Sequence, residues 1–178
     1  PKISKELTKS GIYAVLIALI LMLFYIWLRF EWQFSLGSIL ALLHDVMLTL
    51  GAFSIIGFEF NLSIIAAILT IVGYSMNDTV VIYDRIRENL KKDDKSDLLD
   101  LINISVNETL PRTLKTSITT LLALIAIYFF GGEILRGFSF ALIWGVIVGT
   151  YSSIFIAAPL ILIFNVKRDW NEVIDKRP

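Results

Sequence analysis

The chain has 178 residues, 56% of them hydrophobic, and a mean hydropathy of +0.74, whereas a soluble domain averages about 45–50% apolar residues. Sixteen basic and sixteen acidic residues cancel, so net charge offers no argument for nucleic acid and none is expected as a partner. No cysteine is present and His44 is the single histidine, which excludes a disulfide framework, thiolate chemistry and a multi-histidine metal cluster.

Five apolar stretches reach the roughly 18–20 residues that a helix needs to cross about 30 Å of hydrocarbon. They fall at about 11–28, 34–57, 62–83, 113–130 and 138–165. Helix is the expected state, because lipid cannot satisfy open backbone groups and the runs are too long for barrel strands. An all-α membrane protein, a five-helix polytopic bundle forming one domain, follows. The chain starts at Pro1 with no signal peptide before the first run, so it is expected to be part of something longer. Short connections at Arg29–Gln33, Phe58–Asn61 and Gly131–Gly137 make neighbouring helices antiparallel.

The one long connection, Asp84 to Pro111, opens with a charge cluster at Lys91–Asp97. From Ser96 to Leu110 it reads as a short amphipathic helix, with Ser96 as N-cap and Asp97 and Asp100 in the first turn. Leu99, Ile102, Val106 and Leu110 form its apolar stripe. Such a helix lies along the membrane surface or packs beneath the bundle. Pro111 suits the first turn of the fourth span. The last span carries Ala141, Gly145, Gly149, Ser153 and Ala157 at intervals of four. Small residues at that spacing let a helix approach closely, either inside the bundle or from a second subunit.

Basic residues set the expected orientation. One set of helix ends carries Arg29, Arg85, Arg87, Lys91, Lys92, Lys95, Arg112, Lys115, Lys167, Arg168, Lys176 and Arg177; the other carries Lys2, Lys5, Lys9 and Arg136. The richer set should face the cytoplasm, with the amino terminus outside. That arrangement is natural if an upstream helix and an external domain precede the chain.

Charged groups within hydrocarbon are costly and carry function by default. The second span holds His44 beside Asp45 near its middle, and the third holds Asn77 and Asp78 two turns inside Arg85. Asp78 shares a face with Tyr74 and Arg85. Arg112, at the start of the fourth span, can reach a similar depth by snorkelling. Thr116, Thr119 and Thr120 continue the Arg112 side as a column of hydroxyls. Carboxylate, guanidinium and hydroxyls suggest an ion path; a structural salt bridge pinning two helices is the alternative. Asp45 shares a face with Ser38 and Thr49 and is expected to be satisfied by such hydroxyls within the bundle. Sequence neighbours point about 100° apart on a helix, so His44 and Asp45 are not expected to line one narrow path together. They stand second to Asp78 and Arg112. No Gly-rich phosphate loop, hydrolase carboxylate pair or nucleophile elbow is present, so no enzyme, cofactor or metal is expected.

These residues carry a resemblance. The segment LLHDVMLTLGAFSIIGFEFNLSIIAAILTIVGYSMNDTVVIYDRIRENL, Leu42–Leu90, closely resembles the SecF family of bacterial protein-export membrane proteins. RFEWQF at Arg29–Phe34, LPRTLKTSITT at Leu110–Thr120, FGG at Phe130–Gly132 and GTYSSIFIA at Gly149–Ala157 continue it without departure at the motif positions. The resemblance implies six membrane helices with a large external domain after the first, so that these five would be the last five. It implies a SecD-like partner in a pseudo-symmetric bundle of the resistance-nodulation-division type. It also implies action on the SecYEG translocon, with YajC and YidC as further partners, to move preproteins at the expense of the proton-motive force. The ion-relay aspartate and arginine of the family fall on Asp78 and Arg112. The expected location is the bacterial inner membrane. A small-molecule or lipid exporter of the same architecture and a non-conducting translocon scaffold are the competing classes; proton and sodium both remain open as the ion.

Overall fold

A computed structural model describes residues 2–57, 62–92, 96–164 and 166. The expected connection at Phe58–Asn61, Lys95, the end of the last span at Asn165 and the basic residues Lys167, Arg168, Lys176 and Arg177 lie outside the described residues. The fold is all-α, and five helical runs are long and apolar enough to cross a membrane. Their order is α1 (Lys2–Arg29), α2 (Trp32–Ile56), α3 (Leu62–Lys92), α4 (Leu98–Phe130) and α5 (Gly132–Ser152). α5 continues through one π-helical turn, Ser153–Ala157, into a short α6, Ala158–Ile163.

The separate amphipathic helix expected over Ser96–Leu110 is not separate. Leu98–Phe130 is one helix with Pro111 inside it. Its buried face runs through Leu98, Leu101, Ile102, Ser105, Thr109, Thr113, Ser117 and Leu124. That face keeps helical spacing straight across the proline, so packing rewards continuity. Pro111 removes only the N–H that would bond the Asn107 carbonyl, and both residues are exposed. The N-cap is Asp97 rather than Ser96. Leu99, expected on the apolar stripe, is 48% exposed, because the inward face is rotated onto Leu98 and Leu101. The extended part of α4 lies beside the extended part of α3, held by Arg85 Nε to Glu108 Oε2 at 2.7 Å and Asn89 Nδ2 to Ser105 Oγ at 3.0 Å.

α3 is the centre of the bundle and touches every other helix. α5 comes closest because the small-residue stripe faces it. A Cβ on Gly145 would collide with the Ile71 side chain, and one on Gly149 would come within 2.9 Å of Ser75 Cβ. The stripe therefore serves packing inside the bundle, the first of its two expected uses. α1 sits outermost, packed against α2 and α3, with Leu21, Trp27 and Leu28 exposed as a lipid-facing surface requires. The polar end of the bundle carries Arg29–Asp84 at 3.2 Å, Arg85–Glu88 at 2.6 Å and Lys92–Glu88 at 2.7 Å. Exposed pairs of this kind contribute little to stability, because water and salt screen them. At the α1–α2 corner, burial pushes the Glu31 carboxyl up from the usual range, and the charges of Arg87 and Lys91 oppose it.

Candidate functional site

Two buried carboxylates occupy the interior, on different helices and with different surroundings. Asp78 is 3% exposed, and its Oδ2 has no hydrogen-bond partner. On its face of α3, Tyr74 O–H donates to Thr120 Oγ1 at 3.4 Å on one side, and Asn89 meets Ser105 on the other. These two antiparallel contacts bracket Asp78 and set it level with Thr116 of α4. Arg112 lies one turn nearer the polar end, about 6 Å along the axis. Its charge acts on Asp78. Arg112 is exposed, however, and no ion pair joins the two among the described residues. The backbones are thus offset by one turn, a distance that an arginine side chain can cover by snorkelling.

The expected hydroxyl column divides. Thr116 donates to the carbonyls of Arg112 and Thr113, and exposed Thr119 to those of Lys115 and Thr116, so both are spent on their own helix. Thr120 alone of the three meets α3, through Tyr74. Asn77 is exposed on the surface of this chain. Beyond Pro111 the buried hydroxyls of α4 are instead Thr113 and Ser117, each one residue away from an expected position. Ser117 Oγ lies 2.7 Å from Thr150 Oγ1 of α5. One residue is about 100° of rotation, which is enough to exchange an inward face for an outward one.

Asp45 is fully buried and has the richer environment. Its Oδ2 accepts from Ser75 Oγ of α3 at 2.5 Å and from Ser152 Oγ of α5 at 2.8 Å. Its Oδ1 lies 3.1 Å from His44 Nδ1. The hydroxyls expected to satisfy it do other work: Thr49 donates to the Asp45 backbone carbonyl and Ser38 to that of Ser35. The partners come from other helices. His44 and Asp45 also act together, because the imidazole folds back to the carboxylate despite the angular offset. Beyond this junction a hydroxyl seam joins α3 to the π turn. Thr79 Oγ1 meets Ser153 Oγ at 2.9 Å, and the Tyr83 hydroxyl donates to the Ala157 carbonyl at 3.0 Å.

Ser75, Ser152, Ser117, Thr150 and Tyr83 were not among the expected site residues. A signal for the first four existed. Each apolar span carries a few hydroxyls at helical spacing, and polar groups within hydrocarbon pair with one another across helices.

The family described as protein export membrane protein SecD/SecF, C-terminal, matches residues 1–167. The chain is a member of the SecD/SecF family. It is 51% identical over 169 residues to protein translocase subunit SecF of Rhodobacter capsulatus, covering 95% of this chain and 51% of that one. It is 53% identical over 176 residues to protein translocase subunit SecF of Rickettsia akari, covering 99% and 57%. Among solved structures it is similar to SecDF, a translocon-associated membrane protein, from Thermus thermophilus. That match has a TM-score of 0.89 and 47% identity, over 93% of this chain and 23% of the other. A SecDF structure in a super-membrane-facing form gives 0.85 and 46%, over 96% and 23%. The chain thus spans about half the length of these SecF relatives. Within the SecD/SecF fold, the GYSMND segment supplies both Ser75 to the Asp45 junction and Asp78 to the α3–α4 interface.

Proposed function

We propose that this chain is the membrane part of a SecF-type subunit that works with a SecD-like partner and the SecYEG translocon, with YajC and YidC as accessory partners, to promote preprotein translocation. Its setting is the bacterial inner membrane, with the basic ends of Arg29, Arg85–Lys92 and Arg112 in the cytoplasm and the amino terminus outside. Its work is not enzymatic. The energy comes from ions, most simply protons, that cross the membrane along the proton-motive force.

Membership of the SecD/SecF family and the five apolar helices support this reading. The observation that carries the ion coupling is Asp78, a carboxyl group 3% exposed with one oxygen unpartnered, in a helix long enough to span the bilayer. A buried acceptor without a donor costs about 1–3 kcal/mol, so a fold that keeps one has a use for it. The carboxyl is the switch. Ionised, it draws the Arg112 side chain one turn inward; protonated, it releases it, and α3 and α4 are free to shift. One charge crossing 100 mV supplies about 2.3 kcal/mol, enough to bias a two-state equilibrium roughly fifty-fold.

The test uses the full-length protein with its SecD partner and translocon in proteoliposomes, under imposed proton or sodium gradients. Asp78→Asn should abolish the gradient-dependent part of preprotein export and leave assembly and gradient-independent export intact. Wild-type stimulation by that variant removes Asp78 from the mechanism.

A further inference from the structure

The Asp45 junction has no role in the switch just described, yet it is fully buried and its side chain has three polar partners. It joins three helices through one carboxylate: α2 supplies Asp45, α3 Ser75 and α5 Ser152. Among the described residues the carboxylate meets only neutral hydroxyls from α3 and α5, and His44 is the one titratable group that acts on it. Asp45 itself is fully buried, whereas the His44 side chain is 30% exposed at the edge of α2. The imidazole therefore links Asp45 to the outer face of this chain, through Nδ1 at 3.1 Å from Oδ1. The Ser152 hydroxyl has a second acceptor as well, the Gly149 carbonyl at 3.1 Å. One hydroxyl proton serves one acceptor well, so Ser152 can turn away if Asp45 loses its charge.

From this geometry we infer that Asp45 is a second proton-binding carboxyl of the membrane bundle, loaded through His44, whose charge state sets how tightly α2 is joined to α3 and α5. The step is a single proton transfer. Imidazolium Nδ1–H gives its proton to Asp45 Oδ1, leaving neutral imidazole and a neutral carboxylic acid. Ser152 then turns to the Gly149 carbonyl, and the link from α2 to α5 opens next to the π turn. Reversal restores the carboxylate and the Ser152 bond. Ser75 lies one turn from Asp78 on α3, so the same helix carries the partner of one carboxyl and the whole of the other. The consequence for export rests on the ion-coupling reading above; proton binding at Asp45 does not.

Infrared spectroscopy of the full-length protein with its SecD partner in lipid vesicles tests the two separately, by following the carbonyl stretch of protonated carboxyls as pH is varied. Asp45→Asn should delete one buried carboxyl band that titrates, and Asp78→Asn a different one. His44→Gln keeps a hydrogen-bonding side chain that cannot carry a proton. It should retain the Asp45 band but slow its hydrogen–deuterium exchange by about 100-fold, the lower scale of a positioned acid or base. A merely structural His44 would leave that rate unchanged. Because His44 is partly exposed, this variant decides the matter even if Asp45→Asn fails to fold. An Asp45 band that never titrates, or wild-type exchange in His44→Gln, overturns the inference. If the Asp45 band behaves as expected while Asp78→Asn still exports in a gradient-dependent way, the ion-coupling reading fails and the Asp45 site stands.

Discussion

Asp45 and Asp78 are the same side chain in adjacent helices, both shielded, and their surroundings are opposites. Asp45 gathers two hydroxyls and an imidazole, whereas Asp78 keeps an oxygen that meets no donor. A saturated carboxylate joins helices while it is charged and gives up a hydroxyl bond when it takes a proton. An unsaturated one takes a proton or a counter-charge without breaking a bond. The hydroxyls on neighbouring helices make that difference.

The largest effect that separates them is on stability. Asp45→Ala leaves the Ser75 hydroxyl without its acceptor, returns Ser152 to the Gly149 carbonyl alone and should cost about 3 kcal/mol. Asp78→Ala removes an oxygen that already lacked a partner and should stay within about 1 kcal/mol. Unfolding in mixed micelles of rising sodium dodecyl sulfate content measures both, and equal costs would break the contrast. Ser75→Ala sharpens it from the partner side, with an expected loss of about 2 kcal/mol for a hydrogen bond to a charged group. The same assay on α4 should give about 1 kcal/mol for Ser117→Ala, which loses the bond to Thr150. Thr119→Val, on the exposed side, should change stability by less than about 0.5 kcal/mol.

Hydropathy alone made the five spans legible, because a run of apolar residues long enough to cross a bilayer has few other folds open to it. Asp78, Tyr74 and Thr120 were legible for the related reason that polar groups in such runs stand out. The one-turn offset of Arg112 was not, since it depends on the register between α3 and α4, which Tyr74–Thr120 and Asn89–Ser105 set. Pro111 misled because proline is both a good helix starter and, where its lost bond faces outward, a tolerable interior residue. The Asp45 junction escaped because its partners are small serines contributed by two other helices. A serine has no sequence signature until its neighbour across the interface is known.

The π turn has a geometric consequence for the small residues around it. A residue every four positions drifts about 40° per repeat around an α-helix, so Ala141, Gly145, Gly149, Ser153 and Ala157 would wind steadily away from a straight neighbour. A π turn advances fewer degrees per residue. Over Ser153–Ala157 it reverses the drift, as a vernier corrects a misaligned scale. Ala157 arrives fully buried with its carbonyl under the Tyr83 hydroxyl, so the last helix stays in phase with the central one along its whole length.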